Sequence, residues 1–200
     1  MSNRGATGDV RLSIQATPTN TLDDGQVVST SCGGTIITGR LTSGVSENQI
    51  DRVWEDTSRS LASGVTETLD LYDLGSLDIG AGAGNDPLGL PNGFEEIVTL
   101  VIKQISGAGR LEINPTTPAN NLAWIPSMTV VNGGALRNGA VRAWHQPGED
   151  GLDVLDGSSH TVNFKANGGD VVYSIYILGR HDDDESSSSS TSTLSSSSSS

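Results

Sequence analysis

Three histidines, a scatter of aspartates, a glycine-rich run and three tryptophans are the residues of this 200-residue chain whose types suit chemistry. His145, His160 and His181 stand far apart, and none falls in a His-x-x-x-His ligand spacing, so no zinc-type site is encoded locally. A Ser–His–Asp constellation needs no fixed spacing, because its members converge only in space. The elbow that would announce one, Gly-x-Ser-x-Gly, is missing, and the serines crowd turns and the C-terminal end. Asp73, Asp78 and Asp86, with nearby carbonyls, offer the hard oxygens that Ca²⁺ takes, but their spacing follows no calcium-loop pattern. Gly80-Ala-Gly-Ala-Gly84 resembles a phosphate-cradling loop, yet Asn85-Asp-Pro-Leu-Gly89 cannot open the helix that such a loop requires. The expectation is a flexible glycine-rich connection, with no catalytic residue, no metal site and no cofactor.

The tryptophans point to contacts rather than catalysis. Trp54 sits in an apolar strand-like run and is expected in the core. Trp124, between Asn120-Asn121 and Pro126, falls on a loop and is the better candidate for an exposed contact or a sugar-stacking platform. Trp144 ends a strand and enters the turn His145-Gln-Pro-Gly148, where it would cap a sheet edge.

The elements that must position these residues are short strands. Gly is abundant at 25, Ser, Thr and Asn fill the gaps between apolar runs, and no long segment keeps a helical period, so the fold class is all-β. Strands are expected at residues 10–16, 35–42, 50–54, 67–72, 94–105, 110–114, 128–131, 140–144, 160–165 and 171–180. The run 94–105 is ambiguous. Its apolar residues match a helical stripe, but the β-branched stretch Val98-Thr-Leu-Val-Ile102, followed by Gly107 and Gly109, favours a buried strand that turns into the next one. From Val171 the residues alternate, with Val171, Tyr173, Ile175 and Ile177 on one side and Val172, Ser174, Tyr176 and Leu178 on the other. Such a run is apolar on both faces, so it reads as a central strand covered twice, or as one whose second face meets a neighbouring subunit. Ile175 and Tyr176 therefore join Trp124 and Trp144 as interface candidates.

These strands organise into three parts. Residues 1–46 form an N-terminal arm, too small for its own core, or a pair of strands added to the body or a partner. Residues 47–180 hold eight strand candidates with turn signals between them, which suits a β-sandwich of jelly-roll type. Residues 181–200, an acidic and serine-rich tail, cannot bury enough apolar area to offset chain entropy and are expected to be disordered.

Composition excludes several function classes. The net charge of −13 repels phosphate backbones, which argues against nucleic-acid binding. No run approaches the length of a membrane span, no secretory leader opens the chain, and Cys32 as sole cysteine allows no internal disulfide, so folding in a cytoplasm is expected. Only 34% of residues are hydrophobic and 4% aromatic, a thin core for this length that a homo-oligomer, a dimer or trimer, would supplement.

Ile50-Asp-Arg-Val-Trp54, Thr66-Glu-Thr-Leu-Asp-Leu71, Glu96-Ile-Val-Thr-Leu-Val-Ile-Lys103, the Asn132-Gly-Gly134 turn and the run from Val171 to Arg180 occur in an order that resembles small β-proteins of tailed bacteriophages, encoded near head genes. The resemblance covers about residues 47–180. It implies a virion component, a capsid decoration or cement protein made in the bacterial host cytoplasm, bound to the major capsid protein on the outside of the head, and not an enzyme. It brings no site residues with it, and the long connection at 78–93, the arm and the tail depart from it. The alternative expectation is a receptor- or glycan-binding module of a fibre or tail, with a carbohydrate-active enzyme a more distant third.

Overall fold

The computed structural model describes residues 7–16, 19–21, 27–29, 32–74, 93–116 and 120–181. The glycine run 80–84, Asp78, Asp86 and the serine tail fall outside the described residues. The chain is all-β, with no α-helix among the described residues. Its strands are β1 (Gly8–Ala16), β2 (Thr19–Thr21), β3 (Val27–Ser29), β4 (Cys32–Ser43), β5 (Gln49–Ile50), β6 (Arg52–Leu61), β7 (Thr66–Asp70), β8 (Glu96–Ser106), β9 (Arg110–Ile113), β10 (Val141–His145), β11 (Leu152–Asp153), β12 (Thr161–Asn167) and β13 (Val171–Arg180).

Two antiparallel sheets form the body. The larger runs β10-β8-β13-β6, with β11 also paired to β8, and the smaller runs β7-β12-β9. From β6 to β10 each successive strand changes sheet, and so do the steps from β11 to β12 and from β12 to β13. Inward residues of both sheets share one hydrophobic cluster: Trp54, Leu100, Ile102, Tyr173, Ile175 and Ile177 from the larger sheet, and Leu69, Leu111, Ile113, Val162 and Phe164 from the smaller. The Phe164 and Tyr173 rings meet across it with centroids 5.1 Å apart. Burying such side chains stabilises the fold by roughly 1.5–3 kcal/mol each, before the entropy of ordering them is counted.

The final strand is central, paired with β6 on one side and β8 on the other, as its two-faced apolarity requires. The run 94–105 supplies strand β8 from Glu96 onward, and its pairing with the last strand carries an irregularity. The register between β8 and β13 shifts at Leu178/Gly179, where Leu178 pairs Thr99 and Gly179 pairs Ile97. This β-bulge inserts Val98, so Ile97 and Leu100 both face the core three positions apart while Val98 and Thr99 face outward. Gly107 closes the β8–β9 turn at φ 108°, where a Cβ would stand 2.2 Å from the Asp170 carbonyl oxygen; only glycine fits there.

The strand expected at residues 128–131 is reduced to a bridge. Met128 pairs Ile113, and Leu136 pairs Leu111, both along the outer edge of β9. Between them Asn132 Oδ1 accepts from the backbone N–H groups of Thr129 and Gly134 at 2.8 and 3.0 Å, closing a tight turn that stops the ladder.

Within the expected arm, β1 and β4 pair as a two-stranded ribbon from Gly8↔Leu41 to Ala16↔Cys32, and β2 pairs with β3 between them in sequence. The base of the ribbon is anchored to the body. Leu41 is fully buried with Ile50 and Val98, joined by Val10 and Leu178, and β4 continues into a parallel pairing with β5. Among the described strands, β1 makes extensive contact with β4 alone, and β4 with β1 and β5 alone.

Candidate functional site

The outward face of the larger sheet carries three of the exposed large apolar side chains, Val53, Val141 and Tyr176. Cross-strand register sets its rows: Ala143, Val101, Tyr176 and Glu55 lie side by side across β10, β8, β13 and β6. The next row holds His145, Thr99, Leu178 and Val53, and the row on the other side holds Val141, Lys103 and Ser174. Val53 and Tyr176 are each 39% exposed and Val141 is 46% exposed. The arm covers one end of this face, where Leu41 and Ile50 sit on Val98 and Leu178. The other end, centred on Tyr176, has no cover among the described residues.

Glu55 lies beside Tyr176 on β6, and Lys103 lies diagonally across from it on β8, beside Ser174. Both side chains are exposed, and neither has a hydrogen-bond or ion-pair partner among the described residues. They stand two strand spacings apart and one row out of step, roughly 12 Å at the backbone, with β13 between them.

Of the four interface candidates, Tyr176 lies on this face. Ile175, one residue away, does not: it is 1% exposed and points into the core, because successive side chains of a strand take opposite faces. Trp124 and Trp144 come together at the β10 edge, with ring centroids 6.2 Å apart in an edge-to-face arrangement. Both pack partly against the core, and the Trp124 indole N–H donates to the Asp153 carbonyl at 2.9 Å. Trp124 is thus half-buried rather than a free loop contact. Trp54 is core.

The histidines stay apart. His145 Nδ1 meets Thr99 Oγ1 at 2.9 Å beneath Gly39 of the arm, and burial lowers its pKa, opposed by a hydrogen bond with the Val98 backbone. The His181 ring tilts against Tyr72 at 6.3 Å. His160 Nδ1 pairs with Asp70 Oδ1 at 2.9 Å, which reproduces the His–Asp half of a triad. Its Nε2 is buried and has no partner among the described residues, so no described hydroxyl stands where a nucleophile must. Asp70 Oδ1 is also occupied by the N–H groups of Tyr72 and Asp73, at 3.0 and 3.1 Å. No group of three His, Cys, Asp or Glu side chains suited to a metal occurs among the described residues.

A cleft of about 500 Å³ opens at the end of β13, lined by Val45, Tyr72, Glu95, Glu96, Asp153 to Asp156 and Arg180. Arg180 is 1% exposed. Its Nε pairs with Glu96 Oε2 at 3.1 Å, and its Nη groups donate to the carbonyls of Glu149 and Gly148 at 2.8 and 2.5 Å. This guanidinium fastens the last strand to the loops around it through charge-assisted contacts.

Sequence patterning points to Tyr176 but misses Glu55, Lys103, Val53 and Val141. Their only signal is the alternation of residues 52–61 and 99–103, which assigns a face without saying that the three strands lie side by side.

Among described residues no helix is long and apolar enough to cross a membrane. Comparison with protein-family models, with curated proteins and with solved structures finds no match for this chain.

Proposed function

We propose that this protein is a structural virion component, a capsid decoration or cement protein that binds the outside of a tailed-bacteriophage head through contacts with the major capsid protein. The observation that carries this reading is the combination of a two-sheet β body with a paired ribbon that, among the described residues, is anchored at its base. A two-stranded ribbon is marginal alone in water and gains stability by adding strands or faces to a neighbour. The body is a β-sandwich of jelly-roll type on this reading. Strand order supports it: β6-β13-β8-β10 opposes β7-β12-β9, with Met128 and Leu136 bridging at the β9 edge where an eighth strand belongs. Jelly rolls recur in viral shells and in lectins. The acidic charge and the phage resemblance favour the shell.

The mechanism is mechanical. Many copies bridge adjacent shell subunits, so rupture must break additional contacts at once, and binding to the assembled state stabilises it by linkage. The half-buried Trp124–Trp144 pair at a sheet edge favours the second reading, a glycan-binding fibre module. Copy number on the particle separates the two: a cement protein covers the lattice, and a fibre module sits at one vertex.

The test is co-sedimentation with heads of the encoding phage. Removing residues 11–38 and joining Val10 to Gly39, which are paired neighbours, through an Asn-Gly turn retains the anchored base. The expected result is an unchanged body that no longer binds heads. A full chain that never co-sediments would overturn the cement reading, and a ribbonless chain that binds normally would remove the attachment from the arm.

A further inference from the structure

The outer face of the larger sheet is partly covered: the arm packs at Val98 and Leu178, and the part carrying Tyr176, Val53 and Val141 is open among the described residues. We infer that this open part is a two-fold interface between two copies of the chain, with Tyr176 near the axis and Glu55 of each copy beside Lys103 of the other. The inference concerns self-association in solution and does not depend on binding to a shell.

Charge complementarity identifies the occupant. Glu55 and Lys103, without described partners, lie on the strands either side of Tyr176, which β13 holds apart. A two-fold axis lying between the faces and running along β13 exchanges the flanks, so β6 of one copy passes over β8 of the other. Each Glu55 then faces the neighbourhood of Lys103 on its partner, and the contact forms twice, as an isologous interface demands. A strongly basic or strongly acidic partner would satisfy only one of the two charges. The rest of the chain disfavours other self-contacts, because at net charge −13 most surfaces repel their own kind, and Lys103 is one of its two lysines. Tyr176 supplies the rigid amphipathic anchor typical of interface centres.

The experiment is sedimentation velocity of the full chain, without capsids, for the parent, E55K, K103E and the double variant E55K/K103E. Both positions are exposed, so at protein concentrations low enough to keep every form monomeric all four proteins should give the same thermal unfolding curve. The parent is expected to be a dimer. Each single swap, which places like charges together twice, should weaken it by about tenfold or more. The double swap should restore it toward the parent. A monomeric or trimeric parent, or a double variant as weak as the singles, overturns the inference. So does a monomeric parent whose single swaps lose only capsid binding, which would give this face to the shell protein instead.

Discussion

The Tyr173 hydroxyl, on the central strand of the larger sheet, donates to Glu67 Oε1 on an edge strand of the smaller one. Arg59 completes the link. Its Nε and Nη2 donate to the same carboxylate at 3.2 and 3.0 Å, and its Nη1 reaches Asp56 at 3.0 Å. Burial works against the Arg59 charge, but the hydrogen bonds and charges of Glu67 and Asp56 more than offset it, so its pKa is raised. Tyr173→Phe should therefore cost about 1–2 kcal/mol, since Arg59 still satisfies the carboxylate, whereas Glu67→Ala should cost more by leaving three donors without their acceptor. Urea unfolding of the two variants checks the order. Equal, negligible losses would mean that the sheets are held by apolar packing alone.

Ile175 and Tyr176 are consecutive and have opposite fates. Ile175→Asp places a carboxylate in a site 1% exposed among Trp54, Ile102 and their neighbours, and several kcal/mol of stability should be lost. Tyr176→Ser, on the outer face, should leave the monomer's stability within about 1 kcal/mol. Thermal unfolding at low protein concentration, where association does not contribute, is the measurement. A melting temperature for Ile175→Asp close to the parent's would contradict its place in the core.

What the sequence discloses follows the range of the interactions involved. The last strand is legible because Val171 to Leu178 alternate over a stretch long enough to exclude a helix. The run 94–105 is half legible: Phe94, Ile97, Val98, Val101, Ile102 and Ile105 fit a helical stripe and only β-branching argues otherwise, whereas the bulge at Val98 that sets Ile97 and Val98 on opposite faces depends on the distant last strand. Met128-Thr-Val-Val131 reads as a strand because nothing local reveals that Asn132 closes the chain on Thr129. The candidate site is less legible still. Tyr176 shows itself as an aromatic on the second face of a core strand, but Glu55 and Lys103 become its neighbours only through the register of three strands far apart in sequence. The hydrogen bond from Trp124 to the Asp153 carbonyl likewise joins a loop to β11, distant in sequence, so a loop position alone could not show that the ring was occupied.

The arm's anchorage should weaken in acid through His145. Its ring lies under Gly39, with Thr99 Oγ1 on Nδ1, and burial holds its pKa below the ordinary 6.5 even though the Val98 backbone hydrogen bond pulls the other way. The sign follows from linkage. A base whose folded pKa is depressed binds fewer protons folded than unfolded between its two pKa values, so stability rises with pH across that window. His145 thus contributes its full share above about 6.5, its unfolded value, and loses it progressively as pH falls through 6.5 toward the depressed folded value. His145→Gln keeps a group able to bond Thr99 and removes the titration. Carboxylates also titrate in acid, so the test is a difference: urea midpoints for parent and His145→Gln measured from pH 7.5 down to 5.5. The parent should fall more steeply than the variant over that range. Protease nicking between residues 17 and 31 should accelerate over the same pH interval in the parent alone, because a protonated imidazole loosens the base of the ribbon without unfolding the body. Parallel pH curves for the two proteins would mean that His145 titrates without coupling to the fold.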